Sequence, residues 1–239
     1  MNDEATGGSA FDPRRSACPL IAYVDFKSPY AFVAVQPTYE LAAALGIAID
    51  WRPLTLDIPS FAGAAKLDRD DRVLESTRSE GQWAWVKYAY RDARRYAKLA
   101  GLTLRGTVKI WDTTLAGMGL EWACAHGDDV ARRYIETTFD RFWKRELDVE
   151  DIGVIESLLA ECGAETTGFR ATTEGEAREI YLQRQVAIFE DGIFGVPGYV
   201  VEGEYYWGRE HLPRIRWILE GRRGPSPDIA YDRVARASA

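Results

Sequence analysis

The residues best suited to chemistry stand together in Asp25-Phe26-Lys27-Ser28-Pro29-Tyr30-Ala31. A short, nearly continuous apolar run, Leu20 to Phe26, precedes Ser28, and a helical stretch follows it. The orphan N–H groups and dipole of a helix start make an anion site. A thiolate bound there is stabilised, and its pKa falls from the reference value of about 8.5. The Ser28 hydroxyl can donate to such an anion, or can simply cap the helix.

These residues need elements to position them. Leu20–Phe26 reads as a buried strand. Ser28, Pro29 and Gly46 punctuate a helix over 30–45, with Pro37 inside it as a source of a kink. Ile47–Leu54 reads as a second strand, parallel to the first in a βαβ unit. Helical stretches then follow at 83–100, 113–126, 128–146, 151–162 and 174–190. Strand pattern returns as a hairpin over 198–207 with Glu202-Gly203 at its turn, and a helix runs from about Arg209 to Leu219. The order is βαβ, helical insertion, ββα: a thioredoxin-like α/β core with a large all-helical insertion. The expected division is a mobile leader over 1–19, a thioredoxin-like domain over 20–56 and 191–220, a helical insertion over 57–190 and a loose tail over 221–239.

The block Asp-Phe-Lys-Ser-Pro-Tyr-Ala-Phe is followed some 165 residues later by Phe194-Gly-Val196-Pro197-Gly-Tyr-Val-Val, and then by Tyr-Trp-Gly-Arg209-Glu210-His-Leu. Together they resemble the DsbA-like group that contains kappa-class glutathione transferases and 2-hydroxychromene-2-carboxylate isomerases. The resemblance runs from about Leu20 to Glu220. Its oxidoreductase branch carries Cys-Pro-x-Cys where this chain has Ser28, Pro29, Tyr30 and Ala31. The resemblance therefore implies a glutathione-dependent isomerase or transferase in which Ser28 is the catalytic residue and glutathione supplies the thiol. It implies glutathione contacts at Pro29, Tyr30, Val196, Pro197, Arg209 and Glu210, with Val196–Pro197 as a cis-proline turn near Ser28. Arg52, Lys66 and Lys87 are the candidates for a basic residue that the family places further along. The alternative is a DsbA-like relative without redox activity that serves as a small-molecule-binding or interaction protein.

Aromatic residues at helical spacing supply either core or a substrate pocket; Trp85, Tyr88 and Trp111 are the pocket candidates for an aromatic small molecule. Cys18, Cys124 and Cys162 form no Cys-x-x-Cys pair and fit free thiols in the cytoplasm. His126 and His211 stand alone, so no metal site is expected. Thirty basic against 37 acidic residues, net −7, argue against nucleic acid, and no apolar run has the length of a membrane span. The kappa-class resemblance implies a homodimer.

Overall fold

The computed structural model describes residues 11–68 and 70–228. Strand β1 (Leu20–Val24) leads to helix α1 (Pro29–Leu45) and strand β2 (Ile49–Pro53). A short helix α2 (Ile58–Ala62) and a two-stranded hairpin, β3 (Ala65–Leu67) and β4 (Val73–Ser76), come next. Six helices complete the insertion: α3 (Glu80–Leu99), α4 (Thr114–Ala125), α5 (Asp128–Trp143), α6 (Ile152–Glu161), α7 (Phe169–Thr172) and α8 (Gly175–Glu190). The chain returns through β5 (Gly198–Val201) and β6 (Glu204–Trp207) and ends in α9 (Leu212–Leu219) after a 3-10 turn at Arg209–His211.

The main sheet has the order β2-β1-β5-β6. β1 is parallel to β2 and antiparallel to β5, which pairs antiparallel with β6. All five residues of β1 are buried, as its unbroken apolar pattern predicts for a central strand. The βαβ…ββα order thus agrees with the sequence reading. The insertion contains features absent from that reading: the short helices α2 and α7, and the exposed β3–β4 hairpin, whose polar surroundings hide its strand pattern.

α1 begins as its punctuation predicts. Ser28 is extended (φ −89°), its hydroxyl accepts a hydrogen bond from the Ala31 N–H, and Pro29 opens the helix. Gly46 closes it at φ 65°, a left-handed conformation that glycine adopts without strain. The core is continuous from the sheet into the insertion. Phe26 and Phe32 pack on Phe139 of α5 at centroid distances of 4.8 and 5.6 Å, and Phe32 stacks on Trp143 at 6.3 Å. The helices of the insertion therefore rest directly on the segment that carries Ser28.

Residues 11–19 differ from the mobile leader expected over 1–19. They form a strap across the sheet. Arg52 donates to the carbonyls of Asp12 (2.6 Å) and Arg15 (2.8 Å), and the Tyr23 hydroxyl donates to the Pro13 carbonyl (2.7 Å). Arg14 donates to the Asp191 carboxylate (2.5 Å) and to the carbonyls of Asp191 (2.6 Å) and Gly203 (3.0 Å). Residues 221–228, the described part of the expected tail, lie beside α9, where Trp217 donates to the Gly224 carbonyl (3.2 Å). Residues 1–10 and 229–239 lie outside the described residues.

If Arg52 fastens the strap, Arg52→Ala should open it without unfolding the sheet. Loss of charged hydrogen bonds worth about 1.5–3 kcal/mol should speed trypsin cleavage after Arg14 and Arg15 on the order of 10- to 150-fold. Timed digestion of the native protein measures this; an unchanged rate refutes the role.

Candidate active site

β1 delivers the chain to a tight turn. The Ser28 N–H donates to the Asp25 carbonyl (2.9 Å), and the Lys27 N–H donates to the Asp25 carboxylate (3.2 Å). Asp25 is buried, and its carboxylate gathers four donors. Besides Lys27 N–H it accepts from Leu56 N–H (2.8 Å) and from the Thr113 hydroxyl (2.6 Å), with the Lys27 ammonium at 3.5 Å. The Lys27 side chain is itself only 7% exposed, so the two charges form a buried pair under Ser28. One carboxylate thereby ties the Ser28 turn to the segment after β2 and to the start of α4. Next to Thr113, burial pushes the Asp112 carboxyl up, but hydrogen bonds from Thr114 and the charges of Lys27 and Arg178 outweigh it and leave the group below the ordinary range.

Ser28 meets a turn that is distant in sequence. Val196–Pro197 is cis. The Ser28 hydroxyl donates to the Val196 carbonyl over a long 3.4 Å, and no protein hydrogen bond among the described residues uses the Val196 N–H. The chain thus presents a lightly held hydroxyl, a free backbone donor and the first turn of a 17-residue helix in one place. Two glycines let this turn close. A Cβ on Gly195 would lie 2.5 Å from Trp207 Nε1. Gly208, at φ 109°, lies under the Glu210 carboxylate, which a Cβ would meet at 2.4 Å. The Tyr205 hydroxyl holds both the N–H (3.1 Å) and the carbonyl (2.8 Å) of Gly195, and burial raises that phenol to about 12.

The other site candidates fall in distinct places. The Tyr30 hydroxyl donates to Asp92 of α3 (3.1 Å), which Arg95 also holds (2.8 Å); burial, and then Asp92, push the phenol well above its ordinary range. Arg209 stacks over the Tyr96 ring at 3.8 Å and donates to the Val33 carbonyl at 3.4 Å. Val33 is four residues before Pro37, so its carbonyl is the one Pro37 cannot satisfy. Arg209 thus replaces a missing helix bond and spans α1 and α3. Glu210 is exposed beside it. Tyr88 is half-exposed on the α3 face near Tyr30, and Trp85, one turn earlier, packs edge-on against Phe61 at 6.1 Å. Trp111 lies between the Lys109 ammonium (4.2 Å above its ring) and Phe142. Arg52 serves the strap, Lys66 is exposed on β3, and Lys87 lies over Trp83.

No protein thiol stands at this turn. Burial raises the pKa of all three cysteines, Cys124 to about 12. A thiolate nucleophile at Ser28 must therefore come from a ligand. Among the described residues no group of three or more His, Cys, Asp or Glu could hold a metal ion, and no helix is long and apolar enough to cross a membrane. Two cavities, of about 250 and 590 Å³, lie elsewhere: one beside Asp112, Arg170 and Arg178, the other between the strap and α9.

The DSBA-like thioredoxin domain family matches residues 20–220. The chain belongs to that family. It is 22% identical over 202 residues to the 2-hydroxychromene-2-carboxylate isomerase of Sphingobium xenophagum, covering 82% of this chain and 95% of the relative. Among solved structures it resembles a probable DsbA oxidoreductase from Streptomyces coelicolor (TM-score 0.64, 18% identity, 89% of this chain and 94% of that one). It also resembles the cytosolic disulfide reductase DsbM from Pseudomonas aeruginosa, solved with GSH (TM-score 0.57, 15% identity, 85% and 98%). At these identities the structural likenesses speak for the fold. In the family's terms, Ser28 opens the helix that follows the first core strand, and Val196–Pro197 precedes the hairpin.

Reasoning from residue types missed the roles of Asp25, Lys27 and Thr113. The signal available was an acid and a base two residues apart at the end of a wholly apolar strand. Asp25→Ala should leave Lys27 as a buried, uncompensated cation and cost about 3–5 kcal/mol of stability. Adding Lys27→Met to that variant should recover part of the loss. Denaturant unfolding of the three variants measures it; a cost for Asp25→Ala below about 0.5 kcal/mol, as for an ordinary surface change, refutes the role.

Proposed function

We propose that this protein is a glutathione-dependent isomerase of a small aromatic substrate, of the kind its named relatives act on. One observation carries the reading. Ser28 opens α1 against the cis-proline turn with its hydroxyl 3.4 Å from the Val196 carbonyl, and neither position 28 nor position 31 is a cysteine. That site is built to hold an anion and has none of its own to offer. The DsbM structure solved with GSH supports glutathione as the thiol carrier. A cytoplasmic setting, rich in that thiol, suits three unpaired cysteines.

The residues present fit glutathione. The free Val196 N–H and the Val196 carbonyl can pair with its cysteinyl backbone. Pro29 and Pro197 wall the sulfur position, and the Tyr30 N–H lies in the first helical turn. Glu210 and the 3-10 turn at Arg209 would receive the γ-glutamyl end, with Arg209 shaping that turn through Val33 and Tyr96. When bound, glutathione supplies a thiolate that can add to an unsaturated ketoacid and leave again after bond rotation. Ser28 turns its hydroxyl from the Val196 carbonyl to the sulfur and keeps it ionised, aided by the helix dipole. Tyr88 and Trp85 on one side, and Trp111 on the other, would flank an aromatic ring. A transferase needs the same ionised sulfur and differs only in releasing the adduct.

Ser28→Ala should lower turnover while leaving glutathione affinity largely intact. A charge-assisted hydrogen bond worth about 1.5–3 kcal/mol corresponds to a rate loss on the order of 10- to 150-fold. The variant also loses a cap worth roughly 0.5–2 kcal/mol, whereas Ser28→Gly nearly preserves the cap and separates the two effects. The measurement is a pH–rate profile at saturating glutathione on unsaturated aromatic ketoacids, expected to shift to higher pH in both variants. Unchanged profiles would reduce Ser28 to a cap. Glutathione affinity without turnover on any of them would favour a binding protein instead.

A further inference from the structure

α3 is a basic helix in an acidic protein. It carries Lys87, Arg91, Arg94, Arg95 and Lys98 against the two acids Glu80 and Asp92, while the chain as a whole is net −7. At about 100° per residue, Lys87, Arg91, Arg94 and Lys98 fall within about 60° of one another, and Arg95 stands at their edge. The stripe they form is about 16 Å long. It lies away from the helix's buried line of Val86, Ala89, Ala93 and Ala97, and all five cations are exposed.

This charge is largely left without carboxylates. Arg95 pairs with Asp92 at 2.8 Å, and no other ion pair forms on α3 among the described residues. Arg94 Nε donates to the Leu104 carbonyl (3.1 Å), and Arg91 and Lys87 each lie 5.7 Å from a ring, of Tyr88 and Trp83 respectively. Lys87 and Arg91, Arg91 and Arg95, and Arg94 and Lys98 are like charges one turn apart, which destabilise a helix. The stripe therefore weakens the element that carries it.

The stripe borders the Ser28 site. Tyr30, in the first turn of α1, donates to Asp92 (3.1 Å), and Arg91, Arg94 and Arg95 surround Asp92 on α3. A helix with its side chains is about 10–12 Å across, so these cations stand about that far from the Tyr30 hydroxyl. Charges act over roughly 8–10 Å at physiological salt. Both ligands of the proposed reaction are anions: glutathione has two carboxylates against one ammonium, and an unsaturated ketoacid has its own carboxylate. An acidic chain repels them at a distance. A positive field beside the cleft reverses that repulsion locally and raises their concentration where they must enter.

We propose that the basic face of α3, Lys87 to Lys98, is the approach by which anionic substrates are drawn to the Ser28 site. The proposal rests on the function proposed above, and adds to it the surface that selects for charge.

The test is kcat/KM of the full chain on an unsaturated aromatic ketoacid at saturating glutathione, with salt raised from about 0.02 to about 0.5 M. Wild type should lose on the order of 10-fold across that range as the field is screened. Arg91→Glu/Lys98→Glu should lose on the order of 10-fold at low salt, should no longer fall as salt rises, and should keep the wild-type kcat. Both residues are exposed and each new carboxylate gains cationic neighbours one turn away, so circular dichroism should show the helix intact. Arg132→Glu/Arg223→Glu, the same charge change on α5 and after α9, should behave as wild type. The methyl ester of the ketoacid should show no salt dependence with any of the proteins. Turnover that ignores salt, or that the α3 reversal leaves unchanged, would overturn this inference alone. So would an equal loss in the control variant, which would make the field a property of the whole chain, or an ester that responds as the acid does. A wild type with no turnover on any ketoacid would overturn it together with the proposed function.

Discussion

The Asp25 carboxylate joins three segments that are far apart in the chain. It receives the Lys27 N–H of its own turn, the Leu56 N–H after β2, and the Thr113 hydroxyl at the start of α4. An acid this deeply buried is tolerable only because each oxygen is met by donors and the Lys27 charge is close by. The turn that begins α1 is consequently fixed relative to both the sheet and the insertion. Everything proposed for Ser28 rests on that fixation. A catalytic hydroxyl must be held within about 0.5 Å of its productive position.

The site itself lies on a thioredoxin-like fold. The helix start, its dipole and the cis-proline turn remain, while the turn carries no thiol of its own. The cysteines elsewhere are held protonated by burial. On the proposed reading, such a place would lower the energy of an anionic sulfur supplied by a ligand. Arg209 shows a related economy. Pro37 takes a donor from α1, and the guanidinium that replaces it also rests on Tyr96 of α3, so the helix carrying Ser28 is braced at a second point.

Much of the core was legible because its signals are local. The apolar run of β1, the Ser-Pro start and Gly46 stop of α1, and the Glu202-Gly203 turn each follow from residues within a few positions of one another. The pairing of Ser28 with Val196, 168 residues away, was reachable only through resemblance. Other features were not legible for physical reasons. A lysine defaults to solvent; Asp25 two residues before Lys27 is the one local signal, and nothing in sequence points to Thr113, 88 residues from Asp25, which completes the network that shelters it. The strap over 11–19 has the composition of a loose leader, and its anchor Arg52 is some 40 residues distant. The resemblance implies ligand contacts at Tyr30 and Arg209, and their side chains are engaged by Asp92, Val33 and Tyr96, partners that only the fold brings near.

The central claim is that the Ser28 site binds a thiol and ionises it. Proton release on binding measures this directly. Calorimetric titration of the protein with glutathione near neutral pH, in buffers of different ionisation enthalpy, counts protons set free. A thiol with a free pKa near 8.5 that becomes a thiolate on binding should release close to one proton per site. S-methylglutathione, which has no thiol proton, should bind and release almost none. Equal proton release for both ligands, or glutathione binding with none, would contradict the account.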